Sequence, residues 1–428
     1  MIGLNFLALL VFLGLGLPIA ATLILSSVIG VWSDGYLPIA VLAQRVYVGL
    51  DSFPLLAVPL FILAGAIMES GGMSARIVAF GESVVGHFRG GLAQVTIFSS
   101  IIFSGVSGSQ TADTAAVGSV MLPQMKERGY PVAFSTSLVA ASGGMGMLVP
   151  PSIILILYGF LSNTSITALF IAGLIPAAIV CLSVMFVAYY MARKGNFPPG
   201  PAFSWPRLWM TFKRAAWALM MPVIILVGIR MGVVTVTEAA VVAVVYALLV
   251  SLFIYKDLRL RDLPKIFCDC GVLTGVIMIV VGSASIFAWY LTSQNVPAMV
   301  TDWVRGMTDS HLMILLLINL VFLVLGCFFE VTALLIMAVP IVVPLALAYG
   351  IDPVHLGIII GANLGVGLVT PPVGVCLFVA SGISKIPIEQ TFRTIFPFIG
   401  AMIVALLAIT YVPDICLYLP RVLLGYEG

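Results

Sequence analysis

Charge is what this sequence has least of. Only 8% of its 428 residues are Asp, Glu, Lys or Arg, against about one quarter in a soluble domain. No polar stretch is long enough for a folded aqueous domain. No G-x-x-x-x-G-K-[ST] occurs, which excludes ATP hydrolysis through a P-loop. The six cysteines (Cys181, Cys268, Cys270, Cys327, Cys376, Cys416) are scattered, and their one close pair is C-x-C with no second pair to complete a zinc site. His87, His311 and His355 fall near the expected membrane surfaces with no second ligand at metal spacing. A formal charge of +2 says nothing about nucleic acid, and with no basic block interleaved with aromatics no nucleic-acid partner is expected. So few ionisable residues also fail to supply the converging set that a membrane enzyme requires, so no catalytic residue is expected. Arg230 and Glu238 flank a turn between helices, where a solvated or interfacial role is expected.

What remains is overwhelmingly apolar. Hydrophobic residues make up 62% of the chain, in runs of 18 or more that recur along its whole length, so the solvent for most of it is the lipid bilayer. The opening MIGLNFLALLVFLGLGLPIA resembles a signal peptide, but it lacks a basic n-region and continues apolar to Val31. Membrane structure is expected there, either as one tilted helix over 3–32 or, preferably, as two short helices turning at Gly14 to Pro18.

The few basic residues set the topology. Arg193, Lys194, Arg207, Lys213 and Arg214 form one basic loop, and Lys256, Arg259, Arg261 and Lys265 another, so both belong in the cytoplasm. Two crossings, about 215–231 and 236–254, fit between them. Backwards from there, 166–191 runs inward, 132–160 runs outward, and the pair 92–106 and 111–125 is a hairpin dipping in from the cytoplasm. Forwards, 271–291 runs outward and amphipathic 297–310 lies on the outer interface. A second hairpin, 312–349, then enters from outside, 354–383 runs inward, and 394–412 returns. The expected fold is an all-α polytopic membrane protein of about 10–12 segments, with an inverted repeat dividing at 1–214 and 215–428.

The repeat is visible in the residues themselves. At an offset of 221, Gly105, Thr111, Ala112, Pro123, Gly129, Ala141, Gly144, Gly146, Pro150 and Pro151 fall on Gly326, Thr332, Ala333, Pro344, Gly350, Ala362, Gly365, Gly367, Pro371 and Pro372. Seven of these ten identities are helix-breaking Gly or Pro inside apolar segments. Interrupted membrane segments in matching positions of two halves point to the binding site of a secondary transporter.

The chemistry is expected at the hairpin tips and the breaks. Non-helical backbone survives at membrane depth only where it is buried in protein or lines a watery cavity. Carbonyls and hydroxyls there suit a hard cation such as Na+, and half-helix N-termini suit a carboxylate. The first ion site is expected from Ser104, Gly105 and Ser107 at the tip with Gly143, Gly146 and Val149 at the break. The second is expected from Gly326, Glu330 and Thr332 with Gly365, Gly367 and Thr370, near Asn363. The substrate is expected against Ser109, Asp113, Asn363 and the breaks at Pro150 and Pro371, although Asp113 serves equally well as a helix cap after the tip. Neither hairpin nor break contains Lys or Arg, so a bound anion would rely on amide dipoles, hydroxyls and the coupling ions.

The tip SGVSGSQTADTAAVGSVMLPQM, the break GGMGMLVPPS, the loop TEAAVVAVVYALL and the second break GANLGVGLVTPPVG together resemble the large membrane subunit of tripartite ATP-independent periplasmic (TRAP) transporters, in order and over essentially all 428 residues. The resemblance implies a sodium-driven importer of small organic acids in the bacterial inner membrane, working by an elevator motion. It implies two separate partners, a small four-helix membrane subunit and a periplasmic substrate-binding protein. It further implies a moving body of about 90–160 and 311–383 on a scaffold of 1–50 and 215–254. A dicarboxylate or divalent-anion sodium symporter that needs no binding protein is the alternative. Na+ is the only cofactor implied, and which acid is carried stays open.

Overall fold

A computed structural model describes residues 2–35, 38–198 and 200–427. Among these residues every regular element is helical. In hydrocarbon that is the expected outcome, because a helix satisfies all its backbone hydrogen bonds within itself. The chain opens with α1 (Ile2–Gly14), α2 (Ile19–Asp34) and α3 (Ala40–Leu50), followed by α4 (Ala57–Ser70) and α5 (Met73–Val85). The break between α1 and α2 falls at the Gly14 to Pro18 turn, as the preferred two-helix reading expects.

Next come a hairpin and a broken helix. The hairpin is α6 (Gly91–Ser107) and α7 (Gln110–Glu127), with only Gly108 and Ser109 between its arms. The broken helix is α8 (Val132–Met145) and α9 (Ile153–Ser162), joined by a short 3-10 turn and a cis Pro150–Pro151 bond. Long membrane helices follow as α10 (Ile166–Lys194), α11 (Trp205–Arg230), α12 (Val236–Leu249) and α13 (Leu263–Ser293), then the short α14 (Val296–Arg305).

The motif then recurs. The second hairpin is α15 (His311–Gly326) and α16 (Val331–Ala348), and the second broken helix is α17 (Pro353–Gly367) and α18 (Val375–Ser384), interrupted at a cis Pro371–Pro372 bond. The chain closes with α19 (Phe392–Tyr411) and α20 (Asp414–Leu424). The repeated glycines recur in backbone as well as in sequence. Gly129 and Gly350 both take a left-handed φ, 79° and 71°, just past the ends of α7 and α16, where a Cβ would be penalised.

The halves meet at the repeat's own equivalents. A Cβ on Gly144 would stand 2.8 Å from the Gly365 carbonyl oxygen, and one on Gly365 would stand 2.7 Å from that of Gly144. Two residues 221 apart that touch each other lie where a local two-fold axis would pass. Around this crossing, α8 and α17 pack with α10 and α19, while α4 packs on α12 and α13 packs on α2, α3 and α4.

Two details depart from the sequence expectation. Arg207, Lys213 and Arg214 are not in a loop but on the first turns of α11, which begins at Trp205, and Lys265 likewise lies inside α13. His355, expected near the surface, is buried, and its Nε2 lies 2.9 Å from the Ile409 carbonyl oxygen. Glu238 is exposed as expected and forms a reciprocal cap with Thr235.

Candidate transport site

The first hairpin turns at Gly108, whose φ of 63° ends α6 and whose N–H donates to the Ser104 carbonyl at 3.2 Å. This sharp turn brings the last turn of α6 against the first of α7. Ser104 Oγ and Ser107 Oγ, three residues apart on one face of α6, donate to the two carboxylate oxygens of Asp113. Asp113 is fully buried. It therefore neither caps α7 nor faces open space, but points back across the hairpin. The break closes the nest from the third side: a Cβ on Gly146 would collide with the Ser104 hydroxyl and stand 3.0 Å from Asp113 Oδ2.

Among the described residues no basic group pairs with Asp113. An uncompensated buried carboxylate is costly. A carboxylate and two hydroxyls, set against the end of a half-helix, are hard oxygen donors of the kind that alkali and alkaline-earth cations take. The residues present therefore fit a sodium ion. Gly143 packs tightly beside this nest, where a Cβ would collide with the Thr114 hydroxyl, whereas Gly105 makes ordinary contact with the break. A Cβ on Gly105 would stand 3.5 Å from Val149 Cγ1 and from the Pro150 carbonyl oxygen, and one on Gly143 3.1 Å from the Gln110 carbonyl oxygen.

The second half uses the same backbone with different side chains. Glu330 is the N-cap of α16, and its Oε2 accepts from the Ala333 N–H at 2.9 Å. A Cβ on Gly367 would stand 2.7 Å from the Gly326 carbonyl oxygen, so this break also presses on its hairpin. Thr370 Oγ1 donates to the Val366 carbonyl at 2.7 Å, leaving its lone pairs free. Asn363 is fully buried; its Nδ2 donates to Asn319 Oδ1 at 2.7 Å, and Asn319 in turn donates to Thr410 Oγ1 at 3.0 Å. Asn363 Oδ1 has no hydrogen-bond partner among the described residues.

Between the tips lies a cavity of about 300 Å³. Gly108, Ser109, Gln110 and Thr111 line one side, and Glu330, Val331 and Thr332 the other. Apolar side chains of α13, such as Val276 and Val280, close it laterally. Thr111 and Thr332, equivalent in the repeat, both reach it. Gln110 is more than nine-tenths buried, and its Nε2 has no acceptor among the described residues. The N-termini of α7 and α16 both begin at this cavity, which favours negative charge through their free amides. None of its lining residues is basic.

The geometry divides the residues expected at the site. Ser109, Glu330 and Thr332 meet at the cavity, whereas Ser104, Ser107, Gly146 and Asp113 form the separate buried nest. Asp113, Asn363, Pro150 and Pro371, expected against the substrate, do not line the cavity. Sequence reasoning missed Gln110, Asn319 and the α13 wall. Asn319 left a signal, as the single polar side chain after His311 in the run HLMILLLINLVFLVLG; the α13 wall left none.

Two hairpins whose tips meet two broken helices around one cavity, with eight helical stretches among the described residues long and apolar enough to span a bilayer, define a multi-pass integral membrane transporter. Residues 6–415 match the family described as the tripartite ATP-independent periplasmic transporter, DctM component. The chain belongs to that family. It is 40% identical over 380 residues to the C4-dicarboxylate TRAP transporter large permease protein DctM of Pseudomonas aeruginosa, covering 89% of each chain. It is also 40% identical over 384 residues to the sialic acid TRAP transporter large permease protein SiaM of Vibrio cholerae, covering 90% of each. In fold it is similar to the YdaH transporter of Alcanivorax borkumensis, with a TM-score of 0.64 at 14% identity over 86% of each chain.

Proposed function

We propose that this chain is the transport subunit of a sodium-coupled, binding-protein-dependent importer of small organic acids in the inner membrane. The observation that carries the sodium reading is the Asp113 nest, a fully buried carboxylate held by two hydroxyls with no basic partner among the described residues. Sodium there would neutralise Asp113 and tie α6, α7 and the first break into one body. A second ion is assigned to Glu330 and Thr332 at the cavity edge, backed by Gly326, Gly365, Gly367 and Thr370. The acid would sit between the tips, its carboxylate toward Ser109, Thr111 and the α7 amides.

Coupling follows from the missing cation. An anion entering a cavity that contains Glu330 and no Lys or Arg meets only the partial positive charge of the half-helix amides, opposed by Glu330, until positive ions occupy the tips. Each net positive charge crossing inward gains about 2.3 kcal/mol per 100 mV, and about 1.4 kcal/mol corresponds to a tenfold concentration ratio. More than one ion per monovalent acid would thus support steep accumulation.

The hairpins and broken helices, about 90–160 and 311–383, would move together against a scaffold of 1–50 and 215–254, with the repeats dividing at 1–214 and 215–428. A separate four-helix membrane subunit and a periplasmic binding protein are proposed as partners. The substrate is left at the level of a small organic acid, because relatives named for a C4-dicarboxylate and for sialic acid are equally similar to this chain.

The test is uptake into proteoliposomes with both partners supplied, measured against external sodium. Asp113→Asn keeps the side chain's size and removes its charge, and it should abolish sodium-driven uptake while the complex still assembles. A wild-type sodium curve in that variant would end the assignment.

A further inference from the structure

We propose that a groove at the cytoplasmic rim, bounded by α5, α11 and the end of α12, binds the phosphate headgroup of an anionic phospholipid. The groove encloses about 700 Å³ and is far from the transport cavity in composition: Arg76, Lys213, Arg214 and Asp257 line it with Trp217 and Tyr255. Three cations face one carboxylate. That carboxylate is already committed, since Asp257 Oδ2 lies 2.6 Å from Arg76 Nη1. Lys213 and Arg214 have no carboxylate partner among the described residues. The groove thus carries two uncompensated positive charges, which matches a phosphodiester or a pair of them.

The wall is ordered rather than a loose cluster of surface side chains. The Arg76 guanidinium lies 3.9 Å from the Tyr255 ring centroid and also donates to the Gly72 carbonyl at 2.8 Å. The Tyr255 hydroxyl donates to the Arg214 carbonyl at 2.8 Å, joining the end of α12 to α11. On α11, Trp209, Lys213 and Trp217 follow at four-residue intervals and so share one face. The Lys213 ammonium lies 5.2 Å from the Trp209 ring centroid, which holds it at the depth where indole rings sit, among the lipid headgroups.

The occupant follows from depth and charge. The basic residues flanking these helices put the groove on the cytoplasmic side, and basic pockets between membrane helices on that side take anionic headgroups. A free phosphate would satisfy the charges but not the surroundings, because Trp217 and Ile254 on the groove's rim are exposed apolar surface suited to acyl chains. Its place in the chain adds a consequence. Gly72 lies at the entry to α5, the helix that leads from α4 to the first hairpin, so a headgroup here bridges that lead-in helix to α11.

The experiment uses the chain purified with its membrane partner, washed in detergent and assayed for retained lipid by native mass spectrometry and by phospholipid extraction. Wild type should retain phosphatidylglycerol or cardiolipin in preference to phosphatidylcholine. With about one unit of surface attraction lost per cation, the Lys213→Gln/Arg214→Gln variant should bind added cardiolipin about thirtyfold more weakly, whereas Lys385→Gln, a cation elsewhere on the chain, should bind it as wild type does. Should the double variant fold poorly, Lys213→Gln alone should still weaken binding. Inorganic phosphate at matched concentration should leave the thermal midpoint unchanged while cardiolipin raises it. Equal retention by wild type and the double variant, or equal stabilisation by inorganic phosphate, would overturn the proposal.

Discussion

Asp113 shows how a single side chain's role turns on which neighbour it reaches. From its position it serves either as a cap or as a lining group, and in the folded chain its carboxylate takes two hydroxyls from the other arm of the hairpin. Hydrogen bonds to charged groups contribute about 1.5–3 kcal/mol each. Ser107→Ala should therefore raise the sodium concentration for half-maximal uptake about tenfold, read from sodium titrations of uptake in proteoliposomes. A flat response would remove Ser107 from the ion site. Gly146 belongs to the same nest, and its Cβ would enter the space of the Ser104 hydroxyl. Gly146→Val should abolish uptake although the chain still inserts and assembles, as size-exclusion profiles with the partners would report. The glycine and its grouping with Ser104 were legible from the repeat, but Asp113, which the sequence set against the substrate or as a cap, was not expected as the third member of their nest. A sequence marks where backbone must stay bare without saying every side chain that meets there.

Helices and their crossings were legible to different degrees. Hairpins, breaks and long spans were readable because polarity, glycine and proline interrupt apolar runs at recognisable lengths. The start of α11 was not, because Arg207, Lys213 and Arg214 look like a loop in one dimension. In three they reach the cytoplasmic water from the end of a continuous helix. The crossing of α8 and α17 at Gly144 and Gly365 makes a quantitative prediction. Gly144→Ala or Gly365→Ala should each lower stability by about 1–3 kcal/mol through overpacking. The double variant should lose less than the sum, since both methyls intrude on one contact. Thermal unfolding of the three variants in detergent measures this, and full additivity would mean the two glycines do not share a contact.

For the whole molecule, the decisive relation is that between the halves. Basic residues bound the first hairpin at Lys126 and Arg128, whereas Asp309 and His311 precede the second, and the positive-inside rule therefore predicts that the two enter from opposite faces of the membrane. Single cysteines replacing Lys126 and Asp309 in a background without the six native cysteines should react with an impermeant thiol reagent from opposite sides. On the far side of the second hairpin Asp352 is less suitable, because it caps α17 and accepts from the Tyr426 hydroxyl at 3.1 Å. Labelling of both positions from one side would exclude an inverted repeat and, with it, any alternating access built on one.

Composition, the spacing of basic residues and the recurring Gly and Pro pattern were enough to specify a membrane protein with two hairpins and two broken helices. Each of these follows from a local requirement: an apolar length, a charge that stays in water, a backbone position without room for a Cβ. The grouping of polar side chains was decided only by tertiary structure. Ser109, Glu330 and Thr332 converge on one cavity although 221 or more residues separate the first from the others. Asn363 is turned away into a bond with Asn319, and Asp113 faces two serines rather than the cavity. Which side chain meets which depends on how hairpins rotate and pack against the breaks, and those rotations are set by many weak contacts between distant helices, none of which leaves a mark in a local stretch of sequence.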